Sequence, residues 1–177
     1  WVEVKAAAHW DARSACDVLR LRELIFTRDW FAGMPFRDLD SSDRVTPLLG
    51  MAQPLGPFTE CWLQHVDTEG GRSVGRLGTR LRARVEGALQ RAQLIRADAG
   101  VRLHILFLGG TEGFLGVSRI DNGALWSMGV PRLRLPGAPS RSAAKLEEAF
   151  LWFLGEHAAR ELRAGMSAID LGAAPGG

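Results

Sequence analysis

The chain has 177 residues, 46% hydrophobic and 24% charged, with a formal net charge of +2 and a pI near 8.9. That balance describes an ordinary globular chain, excludes a disordered or fibrous one, and leaves room for a local basic patch but not a general polyanion-binding surface. The most apolar stretch, around Leu103 to Leu108, is far short of the roughly 20 residues of a membrane helix, and no charged leader precedes an apolar segment near Trp1, so a cytoplasmic protein is expected.

Trp1, Val2 and Val4 alternate with Glu3 and Lys5 as in a strand, with no lead-in before it. Together with an unfinished turn at the other end, this suggests a fragment. "ARSACDVLRLRELIF" carries Val18, Leu21 and Ile25 at helical spacing and predicts an amphipathic helix over 14–26. A Pro- and Gly-punctuated stretch from Ala32 to Phe58 follows, with "DRVTPLLGM" expected as a short strand inside it. "TECWLQHVD" predicts another strand. Residues 73–97 give the longest helical signal, with Leu77, Leu81, Val85, Leu89 and Ala92 three or four apart. "VRLHILFL" alternates like a half-buried strand, "GFLGVSRI" reads as its neighbour, and Asp121-Asn122-Gly123 predicts a turn closing a hairpin onto "ALWSMG". This order describes an α+β layer, one sheet covered by helices.

"VPRLRLPGAPS" then reads as an extended connector. Ser140 or Ser142 can cap a new helix, "SAAKLEEAFLWFL", with Glu147 and Glu148 near its start. Met166, Ala168, Ile169 and Leu171 make a short apolar strand of the kind buried in a parallel sheet. One domain is therefore expected at 1–136 and the opening of a second at 137–177.

The chain ends in "AIDLGAAPGG", an acidic residue closing a strand and then a glycine-rich turn. Gly172, Gly176 and Gly177 present no side chains, Pro175 suits the first turn of a helix, and the free N–H groups of such a helix favour a carboxylate or phosphate. The sequence contains neither GxxxxGK[ST] nor GxGxxG spacing here, so S-adenosylmethionine, with a carboxylate and no phosphate, fits better than a nucleotide phosphate. A purely structural turn is the plain alternative.

"APSRSAAKLEEAF" resembles the Ser-Arg-Ser-x-x-Lys-Leu-Glu-Glu-Ala-Phe stretch of the bacterial ribosomal RNA large subunit methyltransferase M family, and "AIDLGAAPGG" follows at that family's kind of distance. "LIFTRDWF", "DRVTPLLGM" and "MGVPRLRLP" look like the same family, so the resemblance covers nearly the whole chain. It implies an N-terminal ferredoxin-like segment, a THUMP-like α+β RNA-binding domain, and the start of a Rossmann-like α/β methyltransferase domain. The implied reaction is S-adenosylmethionine-dependent 2′-O-methylation of a cytidine ribose in 23S rRNA or its large-subunit precursor. Ala174, Pro175, Gly176 and Gly177 would stand against the cofactor, with Ser142 contributing from the preceding helix. Ala174 occupies a place where relatives often have cysteine. Most of the catalytic domain would lie beyond Gly177, leaving the fragment inactive by itself.

Methyl transfer to a hydroxyl needs in-line alignment and the management of one proton, and a lysine can serve as a neutral base or as a cation holding the oxygen. Lys5 and Lys145 are the only lysines among 22 basic residues. The resemblance places Lys145 first in a Lys-Asp-Lys type catalytic set; a solvated helix residue is the plain reading.

Arg72, Arg76, Arg80 and Arg84 recur every four residues with no acid at that spacing. Like charges so placed cost a helix roughly 0.2 to 0.5 kcal/mol per pair, which phosphate would offset; a solvated face in an arginine-rich protein is the plain alternative. Arg132, Arg134 and Arg141 line the connector and could track an RNA backbone. Trp30, Phe31, Trp152 and Phe153 are expected in the core. Cys16 and Cys61 lie far apart with no CxxC or Cys/His spacing, and histidines 9, 65, 104 and 157 show no paired spacing. They suggest a reducing compartment, no metal site and no histidine catalysis. An RNA-binding module without chemistry and a nucleotide-binding oxidoreductase are the readings from other classes.

Overall fold

The computed structural model describes residues 12–24, 26–66, 68–129, 133, 141–167 and 169. The chain divides into two compact units, Trp1–Ala124 and Leu125–Gly177. The strand expected at Trp1 to Lys5 lies outside the described residues.

The first unit holds α1 (Ala12–Ala15), β1 (Ala32–Phe36), α2 (Val45–Ala52), β2 (Glu60–His65), α3 (Glu69–Arg91), β3 (Val101–Phe107) and β4 (Gly113–Arg119). The strands form one sheet in the order β1-β4-β3-β2. β2 and β3 run parallel, joined through α3, and the other pairings are antiparallel. This is the mixed α+β layer that the alternation of elements predicted, its helices burying one face of the sheet. Gly33 stands opposite Gly116, where a Cβ on Gly116 would run into the Ala32 carbonyl, so β1 and β4 approach closely only because both positions are bare.

α3 is set by local signals. Thr68 is its N-cap, the hydroxyl accepting from Gly71 N at 3.2 Å, and Glu69 sits in the first turn where the helix dipole favours an acid. Val74, Leu81, Val85, Ala88 and Leu89 are buried on one stripe. The helix stops at Arg91, short of the predicted 97, because Gln93 takes a left-handed conformation (φ 57°). Leu94 N then bonds to Leu89 O at 2.9 Å and Gln93 N to Gln90 O at 3.0 Å, satisfying the terminal carbonyls without a glycine to announce it.

Three expectations are corrected. "DRVTPLLGM" forms helix α2, not a strand: Asp43 Oδ1 accepts from Val45 N (3.0 Å) and Thr46 N (3.2 Å), Pro47 falls in the first turn where it blocks no helical hydrogen bond, and Leu48 and Ala52 are buried four apart. The helix predicted at 14–26 is only α1 and a 3-10 turn at Leu21–Glu23. Asn122 explains the break, since its Nδ2 donates to Cys16 O (3.0 Å) and Leu19 O (2.7 Å) while its Oδ1 accepts from Leu21 N (3.0 Å), replacing helical partners. That same Asn122 ends a 3-10 turn at Ile120–Asn122, and no strand follows it among the described residues, so no hairpin forms there.

The two faces of the sheet differ. Toward α2 and α3 it presents Leu103, Ile105, Phe107, Leu115 and Val117, all buried. On the other face lie Gln64, Arg102, His104 and Ser118, also buried but polar. His104 is fully buried and donates from Nδ1 to Gln64 Oε1 (3.0 Å), because Gln64 Nε2 is committed to Asp29 Oδ2 (2.9 Å) and the amide must accept at its oxygen. Its Nε2 then accepts from Ser118 Oγ at 2.8 Å. Phe31 stacks on the imidazole with ring centres 4.8 Å apart, and burial, aided by the Arg102 cation, pushes His104 down to about 3. The Asp29 carboxyl is held above its usual range by burial, against the lowering effect of Gln64. Arg102 is clamped by Glu60 Oε1 (2.8 Å), the Ala124 carbonyl (2.7 Å) and the Trp62 ring, whose centre is 3.5 Å away. Cys16 donates to Val117 O at 3.0 Å, and burial pushes the Cys61 thiol up to about 12. Among the described residues no helix is long and apolar enough to cross a membrane, and no group of three His, Cys, Asp or Glu could hold a metal ion.

The second unit holds α4 (Arg141–Phe153) and α5 (Ala158–Glu161), with a 3-10 turn between them at Gly155–His157. Leu133 N donates to Glu148 Oε1 at 2.8 Å, and Trp126 lies against Trp152 with ring centres 5.7 Å apart. Met166, Ser167 and Ile169 belong to no strand; the rest of the strand predicted from Met166 to Leu171 lies outside the described residues.

Candidate functional site

α3 carries the basic face that the sequence suggested. Arg72, Arg80 and Arg84 are exposed, and Arg76 is in the same helix although its side chain lies outside the described residues. At 100° per residue, Arg80, Arg84 and Arg91 fall on one narrow strip, opposite the buried Val85 and Leu89. Arg91 was missed because attention to a four-residue period skips it; a seven-residue step from Arg84 finds it on the same side.

A groove of about 560 Å³ opens between the start of α2 and this face, lined by Asp43, Val45, Thr46, Ala83, Arg84 and Arg91. Sequence reading gave no hint of it, since it depends on "DRVTPLLGM" being helical. Asp43 is drawn down mainly by its hydrogen bonds at Thr46, and the Arg84 charge adds to the same effect.

Several other arginines of this unit are engaged, while Arg20, Arg22, Arg28 and Arg37 are exposed. Arg44 donates to Gly110 O (2.8 Å) and Ser41 O (2.9 Å), Arg82 reaches Leu63 O (3.4 Å), Arg96 pairs with Asp98 (2.8 Å), Arg102 with Glu60, and Arg119 with Asp121 (3.1 Å). Arg80, Arg84 and Arg91 make no hydrogen bond or ion pair among the described residues. Trp30 and Phe31, expected in the core, are half-buried, the former packed against the core cluster and donating from Nε1 to Asn122 O at 3.1 Å.

In the second unit Lys145 is exposed on α4 and makes no ion pair among the described residues, so its ammonium is available to an incoming group. Arg141 and Ser142 open the same helix, with side chains outside the described residues. Arg132, Arg134 and the loop Ala174, Pro175, Gly176 and Gly177 lie outside them altogether. Trp152 and Phe153, expected in a core, are 46% and 81% exposed, because no described element of this unit covers that side of α4.

No protein-family model matches the chain. Among curated proteins it is 42% identical, over 94% of its length, to the ribosomal RNA large subunit methyltransferase M of Cellvibrio japonicus. The proteins of that name from Methylococcus capsulatus and Stutzerimonas stutzeri are 44% and 40% identical, each over 90% of the chain. The family resemblance seen in the sequence is borne out. The chain spans about half the length of these relatives, 49%, 46% and 46% respectively.

Proposed function

We propose that this chain is part of an S-adenosylmethionine-dependent RNA methyltransferase that modifies the ribose 2′-oxygen of a cytidine in 23S rRNA. What carries the reading is the similarity of nine-tenths of the chain to several proteins named as ribosomal RNA large subunit methyltransferase M. In this reading residues 1–136 are a THUMP-like RNA-binding region and 137–177 open a Rossmann-like methyltransferase domain, in a cytoplasmic protein. Bound S-adenosylmethionine supplies the methyl group.

The chain's own residues then have three tasks. The α3 arginines hold RNA phosphates, which sets register without reading sequence. Gly176 and Gly177, lacking side chains, let the backbone N–H groups approach the cofactor's carboxylate, with Ser142 contributing from the start of α4. Lys145 holds the ribose oxygen as a cation while a base further along the full-length protein removes its proton. The 177-residue fragment is inactive alone.

The cofactor loop is tested by calorimetric titration of the full-length protein with S-adenosylmethionine. A Gly176→Val variant is expected to bind at least roughly tenfold more weakly, because its side chain occupies the space of a close backbone contact. Unchanged affinity would remove this loop from the site. An RNA-binding module without chemistry is the second reading, favoured by the exposed Arg80, Arg84 and Arg91 of α3; it predicts no cofactor binding at all.

A further inference from the structure

Resting on the reading of α3 as an RNA-facing helix, we propose that the groove between α2 and α3 seats one phosphate of the RNA backbone between Arg84 and Arg91. Both residues line the groove. Among the described lining residues Asp43 is the one acid, its Oδ1 accepting from the Val45 and Thr46 amides, and the two guanidinium groups outnumber it, so the groove favours an anion.

A further observation concerns the space between Arg84 and Arg91. Gly87 lies between them on the same strip, and a Cβ there would stand 3.4 Å from Arg91 Nη1. The guanidinium of Arg91 thus folds back along the helix over the bare glycine, toward the turn that carries Arg84. A glycine in the middle of a long helix is unfavourable relative to alanine, and here the space it leaves is used by the arginine.

The lining also selects the ligand. Val45 and Ala83 are aliphatic and no aromatic ring lines the groove among the described residues, so a base finds no stacking platform there. Backbone phosphate, not a nucleobase, is the chemistry that fits. The contact positions the RNA and carries no sequence preference.

The test uses the full-length protein, unmodified large-subunit rRNA fragments and binding measured across a salt series. Arg91→Ala is expected to weaken binding by roughly tenfold at physiological salt and to lower the salt slope by about one counterion, while Arg91→Lys recovers part of the loss. Arg96→Ala, which removes a guanidinium already paired with Asp98, is expected to bind as wild type. Circular dichroism confirms that each variant is folded. If Arg91→Ala keeps wild-type affinity and slope while Arg80→Ala and Arg84→Ala weaken binding, the groove is not a phosphate seat but the helix still faces RNA. If all three bind as wild type, the RNA-facing reading of α3 falls with it.

Discussion

Replacing His104 with alanine is expected to lower the stability of the first unit by about 3 to 5 kcal/mol, among the largest single-residue effects a domain shows. Deleting the imidazole leaves Gln64 Oε1 and Ser118 Oγ without their 3.0 and 2.8 Å partners in a region closed to solvent, and removes the ring on which Phe31 stacks. Each orphaned buried group costs about 1 to 3 kcal/mol, and the cavity adds to that. Chemical denaturation followed by circular dichroism measures the loss.

The same residue sets an acid limb. Its ordinary value is 6.5 and burial holds the folded state near 3, so folding favours the neutral ring. The stability this confers is complete above pH 6.5 and is lost as pH falls toward 3, with roughly 2 kcal/mol gone by pH 5. Asp29, linked to His104 through Gln64, works in the opposite sense: its raised pKa makes burial of the charged carboxylate unfavourable at neutral pH, and acid relieves that cost. Arg102 stays charged throughout. A His104→Gln variant keeps a neutral donor and acceptor and is expected to lose the decline between pH 7 and 5; an unchanged decline would place its origin elsewhere.

The second large effect concerns Lys145. In the full-length protein Lys145→Ala is expected to slow methyl transfer by about 10²- to 10⁴-fold, the range typical of removing a group that manages charge or a proton in the transition state. RNA affinity is expected to change far less than the rate, since one exposed cation is removed and the arginines of α3 are untouched. Lys145→Arg keeps the charge but not the compact ammonium, and an intermediate rate is expected if the residue holds the oxygen as a cation. Single-turnover transfer assays separate these rates from binding. A rate unaffected by the alanine change would return Lys145 to the solvated surface of α4.

What the sequence made legible follows from which signals are local. α3 and strands β2, β3 and β4 were readable because their apolar period extends over many residues and is confirmed by packing on one core. α2 was misread because "DRVTPLLGM" is short and its decisive signal is the Asp43 carboxylate on the Val45 and Thr46 amides, a capping cue easily passed over beside a proline. The first helix was overextended because Asn122, more than a hundred positions along the chain, supplies the hydrogen bonds that break it. Such long-range side-chain brackets leave no periodic trace. The arginine stripe was legible as spacing, but the groove, Arg91 and the space over Gly87 appear only once α2 and α3 are brought together.

The most direct test is transfer of label from S-adenosylmethionine, carrying a radioactive methyl group, to large-subunit rRNA that lacks the modification, catalysed by the full-length protein. The RNA is then digested to nucleosides and separated. Label recovered as 2′-O-methylcytidine is the predicted result. Label recovered only in a methylated base, or RNA bound with no label transferred, would contradict the account.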